Sequence, residues 1–210
     1  MESRLRALRA VVFDMDGTIT RPILDFARIK REIGAGETPI LEFLAGIPDP
    51  VRRRDAREKV DRWEREGALA SILNPGVPEV LAFLRDRRIP VAILTRNTRE
   101  SVDIVLAKHR LRFDVVVTAD DEIAPKPSPE PVRHIARALG CDPREMLVVG
   151  DFRFDVECGR AAGARTVFLR NPSSASDDAQ ADVVIDDLRE LVELIGKSGA
   201  QETESGGRTP

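Results

Sequence analysis

A chain of 210 residues is long enough for one α/β domain with an inserted subdomain and too short for two independent large ones. Its 33 Lys and Arg against 36 Asp and Glu give a formal net charge of −3, which excludes a general attraction to nucleic acid or to an anionic membrane and leaves any anion recognition to local groups. Cys141 and Cys158 have no metal-type spacing and are too few for a disulfide framework, and the charged stretch Met1 to Arg6 contains no signal core or membrane span, so a cytoplasmic protein with reduced thiols is expected.

The first element is the apolar, mostly β-branched run Val11-Val12-Phe13, which reads as a buried strand. The Asp14-Met15-Asp16-Gly17-Thr18 that follows cannot continue it. Two carboxylates therefore sit where a strand gives way to a loop, the place where open parallel sheets bind ligands. The turn starting at Gly17 lets the Asp16 side chain swing relative to Asp14, so one acid can attack while the other handles protons. The pair can also hold a hard cation through its oxygens, and an acidic pair of this kind is equally a common turn or helix cap.

From about Thr20 to Leu73 no good strand is visible. Leu24, Phe26, Ala27, Ile29 and Ile33 predict a helix ending at Gly34 or Gly36, and a second helix is predicted from Thr38 to Leu44. Asp49-Pro50 supplies an N-cap and a first-turn proline for a third, charged helix carrying Val51, Val60 and Trp63. Its arginines, with Asp55, Glu58, Asp61 and Glu64, read as a solvated face. Which of Arg21, Arg28, Lys30 or Arg52 reaches a substrate is left open by the sequence.

Asn74-Pro75-Gly76 is a turn back to the main domain, followed by a helix to about Arg88. Pro90 to Leu94 is a second buried strand with Thr95 at its end, and Thr98 caps the next helix. A third strand is predicted from Phe113 to Thr118. Lys126 lies between two prolines in the loop beyond it, with Ser128 as N-cap and Pro129 as first residue of a helix stopped by Gly140. Met146 to Val149 forms a fourth strand ending in Gly150-Asp151, with Asp155 near the start of the helix after it. Strands at Thr166 to Leu169 and Val183 to Ile185 and a helix from Leu188 to Ile195 close the domain. His109 and His134 fit no motif and read as helix-surface residues.

Strands alternating with helices imply right-handed crossovers and a doubly wound, Rossmann-like parallel sheet. The expected layout is an α/β core at 1–19 and 74–196, a small helical insert at 20–73, and a disordered tail at 197–210. All strand ends then face one way, and Asp14, Asp16, Thr95, Lys126, Asp151 and Asp155 share one edge. Each suits a phosphate beside a divalent cation, although any one taken singly also reads as a cap or a loop residue.

In this order the residues resemble the motifs of the haloacid dehalogenase-like hydrolase superfamily, and in particular its phosphoglycolate phosphatase-like members. The resemblance implies Asp14 as nucleophile and Asp16 as general acid and base. It implies Thr95 and the backbone amide of Arg96 as phosphate donors, and Lys126 as the group that neutralises nucleophile and phosphate. Asp14, Met15 through its carbonyl, Asp16, Asp151 and Asp155 are expected around Mg2+. The implied activity is hydrolysis of a small phosphate monoester, phosphoglycolate-like or a sugar phosphate, with no nucleic-acid or membrane partner. A phosphomutase of the same superfamily and a non-catalytic binding protein are the alternatives. Three departures stand out: Arg96 falls where many relatives have Asn, which comes one residue later as Asn97; Phe152 replaces a frequent Ser; and the insert is short.

Overall fold

The computed structural model describes residues 8–171 and 180–200. Strands β1 (Ala10–Phe13), β2 (Val91–Leu94), β3 (Val115–Val117), β4 (Met146–Gly150), β5 (Arg165–Leu169) and β6 (Val183–Ile185) form one parallel sheet in the order β3-β2-β1-β4-β5-β6. The helices are α1 (Phe26–Ile33), α2 (Ile40–Gly46), α3 (Pro50–Ala70), α4 (Val77–Asp86), α5 (Arg99–His109), α6 (Glu130–Leu139), α7 (Arg153–Ala162) and α8 (Glu190–Ala200).

Both faces of the sheet are covered, which is why its strands are apolar throughout rather than alternating. Val11 and Phe13 of β1 pack into a cluster with α4 and α8, whereas Ala10 and Val12 pack with α6 and α7. All four are at most 1% exposed. Burying a side chain such as Val12 or Phe13 contributes about 1.5–3 kcal/mol. From the central pair β1 and β4 the chain winds outward in both directions, so their carboxyl ends form the switch point at which such sheets bind ligands.

Between β1 and α4 lie the three helices α1 to α3, with their own small core of Ile29, Leu44, Ala56 and Val60. Asp25 caps α1 by accepting from Arg28 N at 2.8 Å, and Gly34 ends it at φ 79°. Asp49 caps α3 through Val51 N at 2.8 Å, with Pro50 as its first residue. The end of α3 rests on the sheet domain, where Ala68 joins Ile93, Val102 and Val105. His109 meets Ser71 at 2.9 Å in the same contact.

Several boundaries differ from expectation. Pro39 is extended, so α2 starts at Ile40. β3 stops at Val117 because the Thr118 amide and hydroxyl both turn to Asp121, at 2.7 and 2.9 Å. Pro129 is the residue before α6 rather than its first, with Ser128 Oγ accepting from Glu130 N at 3.3 Å. α8 continues through Ala200, so residues 197–200 are helical, and the remainder of the expected tail lies outside the described residues. No described helix is long and apolar enough to cross a membrane.

Candidate active site

The loop after β1 is held from inside. Asp14 N donates to Val149 O at 2.9 Å, which fixes it against β4. The Met15 carbonyl then accepts from the amides of Thr18, Ile19 and Thr20 at 3.3, 2.9 and 2.9 Å, and from the Thr20 hydroxyl at 3.3 Å. Asn74 donates its side-chain amide to the carbonyls of Gly17, Thr18 and Thr20 at 2.8, 2.9 and 3.2 Å, and its backbone amide to Ile19 O at 3.0 Å. Within residues 15–20 the Asp16 carbonyl alone has no partner among the described residues. The Met15 carbonyl, expected beside the cation, is thus engaged by four donors of its own turn.

Two glycines make the approach of the acids possible. Gly17 has φ 88°, and a Cβ there would stand 2.1 Å from Asp151 Oδ2. A Cβ on Gly150 would stand 2.2 Å from Asp155 Cγ. Asp14, Asp151 and Asp155 accordingly bring one carboxylate oxygen each within 4.8 Å of one another. Lys126 Nζ donates to Asp14 Oδ1 at 2.5 Å and to Asp155 Oδ1 at 2.6 Å. The other Asp155 oxygen accepts from Phe152 N at 3.1 Å, at the start of α7. Asp151 is held by Asn171 Nδ2 at 2.9 Å and by the Thr18 hydroxyl at 3.4 Å.

The electrostatics follow from burial. Burial pushes the Asp14 carboxyl well above its ordinary range against the pull of Lys126, and Asp155 and Asp151 add to the rise. Burial, then Asp155, pushes Asp151 up to about 6. Burial alone would lower Lys126, but Asp14 and Asp155 reverse this and hold the ammonium charged. One ammonium against three carboxylates leaves a formal deficit of two positive charges, the charge of a divalent cation. The donor set of hard carboxylate oxygens and a free carbonyl fits Mg2+.

Asp16 lies apart from this cluster. Its Oδ2 accepts from Asn97 Nδ2 at 2.5 Å and its Oδ1 from the Thr20 hydroxyl at 3.1 Å, so both its oxygens are held by groups outside the three-acid cluster. Burial raises its pKa while the Asn97 and Thr20 bonds oppose the rise. Thr95 is 4% exposed and its hydroxyl accepts from Asn97 N at 3.2 Å. The Arg96 guanidinium grips Glu42 of α2 at 3.1 and 2.5 Å and donates to the Lys126 carbonyl, which ties the inserted helices to the sheet domain.

These groups line one cleft of about 400 Å³ between the sheet edge and the inserted helices. Asp14, Asp16, Thr95, Arg96, Lys126, Asp151 and Asp155 all border it, whereas Met15 does not. Of the four cations left open, Lys30 borders the cleft, Arg28 stacks over Trp63 at 4.8 Å, Arg21 borders a different cleft, and Arg52 is exposed in the first turn of α3. Sequence reasoning missed Asn97 as the partner of Asp16, Asn74 and Asn171 as holders of the loop and of Asp151, and Glu64. Glu64 is 8% exposed, not part of a solvated face. It accepts from Thr98 N at 2.9 Å, and burial pushes it up to about 7.

A model of the haloacid dehalogenase-like hydrolase family matches residues 8–163. The chain belongs to this family. Among its relatives, an uncharacterized hydrolase of Saccharomyces cerevisiae is 33% identical over 91% of this chain and 92% of that protein. A phosphoglycolate phosphatase of Pectobacterium atrosepticum is 30% identical over 96% of this chain and 98% of its own. A crystal structure of a hydrolase from Pseudomonas syringae superposes with a TM-score of 0.74 over 90% of this chain and 98% of that one, and at 23% identity it shows the shared fold. As a haloacid dehalogenase-like hydrolase with phosphatases among its relatives, the protein is a phosphatase-type hydrolase.

Proposed function

We propose that the protein is a Mg2+-dependent phosphatase that hydrolyses a small phosphate monoester through an aspartyl-phosphate on Asp14. The observation that carries this reading is the buried cluster of Asp14, Asp151, Asp155 and Lys126 with its two-charge deficit, next to a fourth acid, Asp16, held separately. Asp14 attacks phosphorus, the bond to the ester oxygen breaks, and Asp16 gives that oxygen its proton. Asp16 then takes a proton from the water that attacks the aspartyl-phosphate, and inorganic phosphate leaves with Asp14 restored.

Asp14, Asp151 and the Asp16 carbonyl would hold Mg2+, and Asp155 places Lys126 and adds its charge. The bound ion supplies positive charge to the transferring oxygens. Lys126, the Thr95 hydroxyl and the Arg96 amide stabilise the same oxygens. In this reading residues 1–19 and 74–196 are the catalytic core and 20–73 the cap. The free thiols Cys141 and Cys158 fit a reducing compartment, and the cytoplasm is the location we assign.

Phosphate release from a panel of small esters, phosphoglycolate and sugar phosphates included, tests the reading with and without Mg2+. Release that needs Mg2+ and disappears in Asp14→Asn supports it. Release that persists in Asp14→Asn sinks it, and transfer of phosphate between positions of a sugar without release would make the protein a mutase.

A further inference from the structure

Beyond the reacting phosphate the cleft wall is mainly apolar, with the charged Lys30, Glu37 and Arg153 among its lining. Phe26 at the start of α1 and Phe152 after β4 are 47% and 43% exposed, and both line the cleft together with Leu24, Ile40 and Phe154. Phe152 and Phe154 meet edge to face at 5.0 Å. Large apolar side chains gathered in one concavity mark a binding surface, unlike single ones scattered over the outside. Most polar side chains around them are already engaged. Arg96 and Glu42 hold each other, Asn97 holds Asp16, Glu64 accepts from Thr98 N, and Lys30 donates to the Glu37 carbonyl at 3.2 Å. A site built to read the hydroxyls of a sugar keeps such groups aimed at its ligand.

The apolar wall is continuous with the phosphate site. Phe152 follows Asp151 directly, Phe154 directly precedes Asp155, and all four border the same cleft as Asp14, with Arg153 over the two rings at 5.9 and 5.2 Å. We infer that the substrate is an alkyl or aryl phosphate monoester, its carbon body lying against Phe26 and Phe152. The inference rests on the phosphatase reading above and leaves its chemistry unchanged: the bond from phosphorus to the alkyl or aryl oxygen breaks, and that oxygen departs with the proton of Asp16.

The test is kcat/KM of the full-length protein with Mg2+ for n-alkyl phosphates from ethyl to hexyl, beside phosphoglycolate and glucose 6-phosphate. Leaving-group acidity hardly changes along the alkyl series, so its slope reports apolar contact. The expected result is a rise of up to about fourfold per methylene, carried by KM. The variant Phe26→Ala with Phe152→Ser is expected to flatten the rise. Because the slope is a ratio within one preparation, it stands even if part of a variant is inactive, and Phe152→Ser alone repeats the measurement with one change. A flat or falling series, a slope untouched by both variants, or phosphoglycolate or glucose 6-phosphate outrunning hexyl phosphate overturns the inference and leaves the phosphatase standing. No release from any ester overturns both.

Discussion

Lys126 donates to Asp14 at 2.5 Å with both side chains almost wholly out of water, 4% and 12% exposed. The ammonium is what lets Asp14 and Asp155 share a buried corner. Lys126→Met removes it and leaves the carboxylates uncompensated, which is expected to lower stability by about 3–5 kcal/mol near neutral pH without metal. The deficit should shrink as pH falls and Asp14, whose pKa burial raises, takes up a proton, and turnover should fall on the order of 10²–10³-fold. Urea unfolding near neutral and at lower pH, and phosphate release, read the two effects.

Gly17 is required twice, by its φ of 88° and by Asp151 Oδ2 at 2.1 Å from where a Cβ would be. Gly17→Ala is expected to strain the loop by about 1–2 kcal/mol and to displace Asp151. Mg2+ affinity, read from the rise in melting temperature on titration, should weaken by about 10–100-fold.

Glu64 is buried with a pKa pushed up to about 7, above the 4.5 of an ordinary glutamate. A carboxyl whose pKa is raised on folding binds its proton more tightly in the folded state. Its contribution is therefore fully present below about pH 4.5 and is lost as pH rises through about 7. Glu64→Gln keeps an oxygen for Thr98 N and has no proton to lose. Relative to this variant, the wild type should lose roughly 3 kcal/mol between pH 4 and pH 8, measured by denaturant unfolding of both proteins. Parallel curves would contradict the burial argument.

Asn97 opposes the burial-driven rise in the Asp16 pKa. Asn97→Ala should move the pH dependence of kcat that belongs to Asp16 to higher pH and lower kcat by about tenfold or more. An unshifted profile with the same loss would mean that Asn97 serves only packing.

The strands were legible because two-sided burial writes continuous apolar runs, and that placed Asp14, Thr95, Lys126 and Asp151 on one edge. The caps at Asp49-Pro50 and Thr98 were legible because capping is local chemistry. What stayed hidden was set by distant partners. Asn97 meets Asp16 across 81 positions, and Asn171 meets Asp151 from the far side of β5. Glu64 sits in a run of charges, and only the docking of α3 on α5 decides that it faces inward. The Met15 carbonyl could not be judged without the Thr18, Ile19 and Thr20 amides folded back onto it.

Covalent catalysis at Asp14 is tested most directly by mixing the protein with Mg2+ and a phosphate ester that it hydrolyses, quenching in acid within the first turnover, and measuring phosphoryl groups on the chain by mass. The expected result is one transient phosphoryl group, mapped to Asp14 and absent from Asp14→Asn. Complete release of phosphate with the chain unphosphorylated at every time point, or a phosphoryl group on another residue, would contradict it.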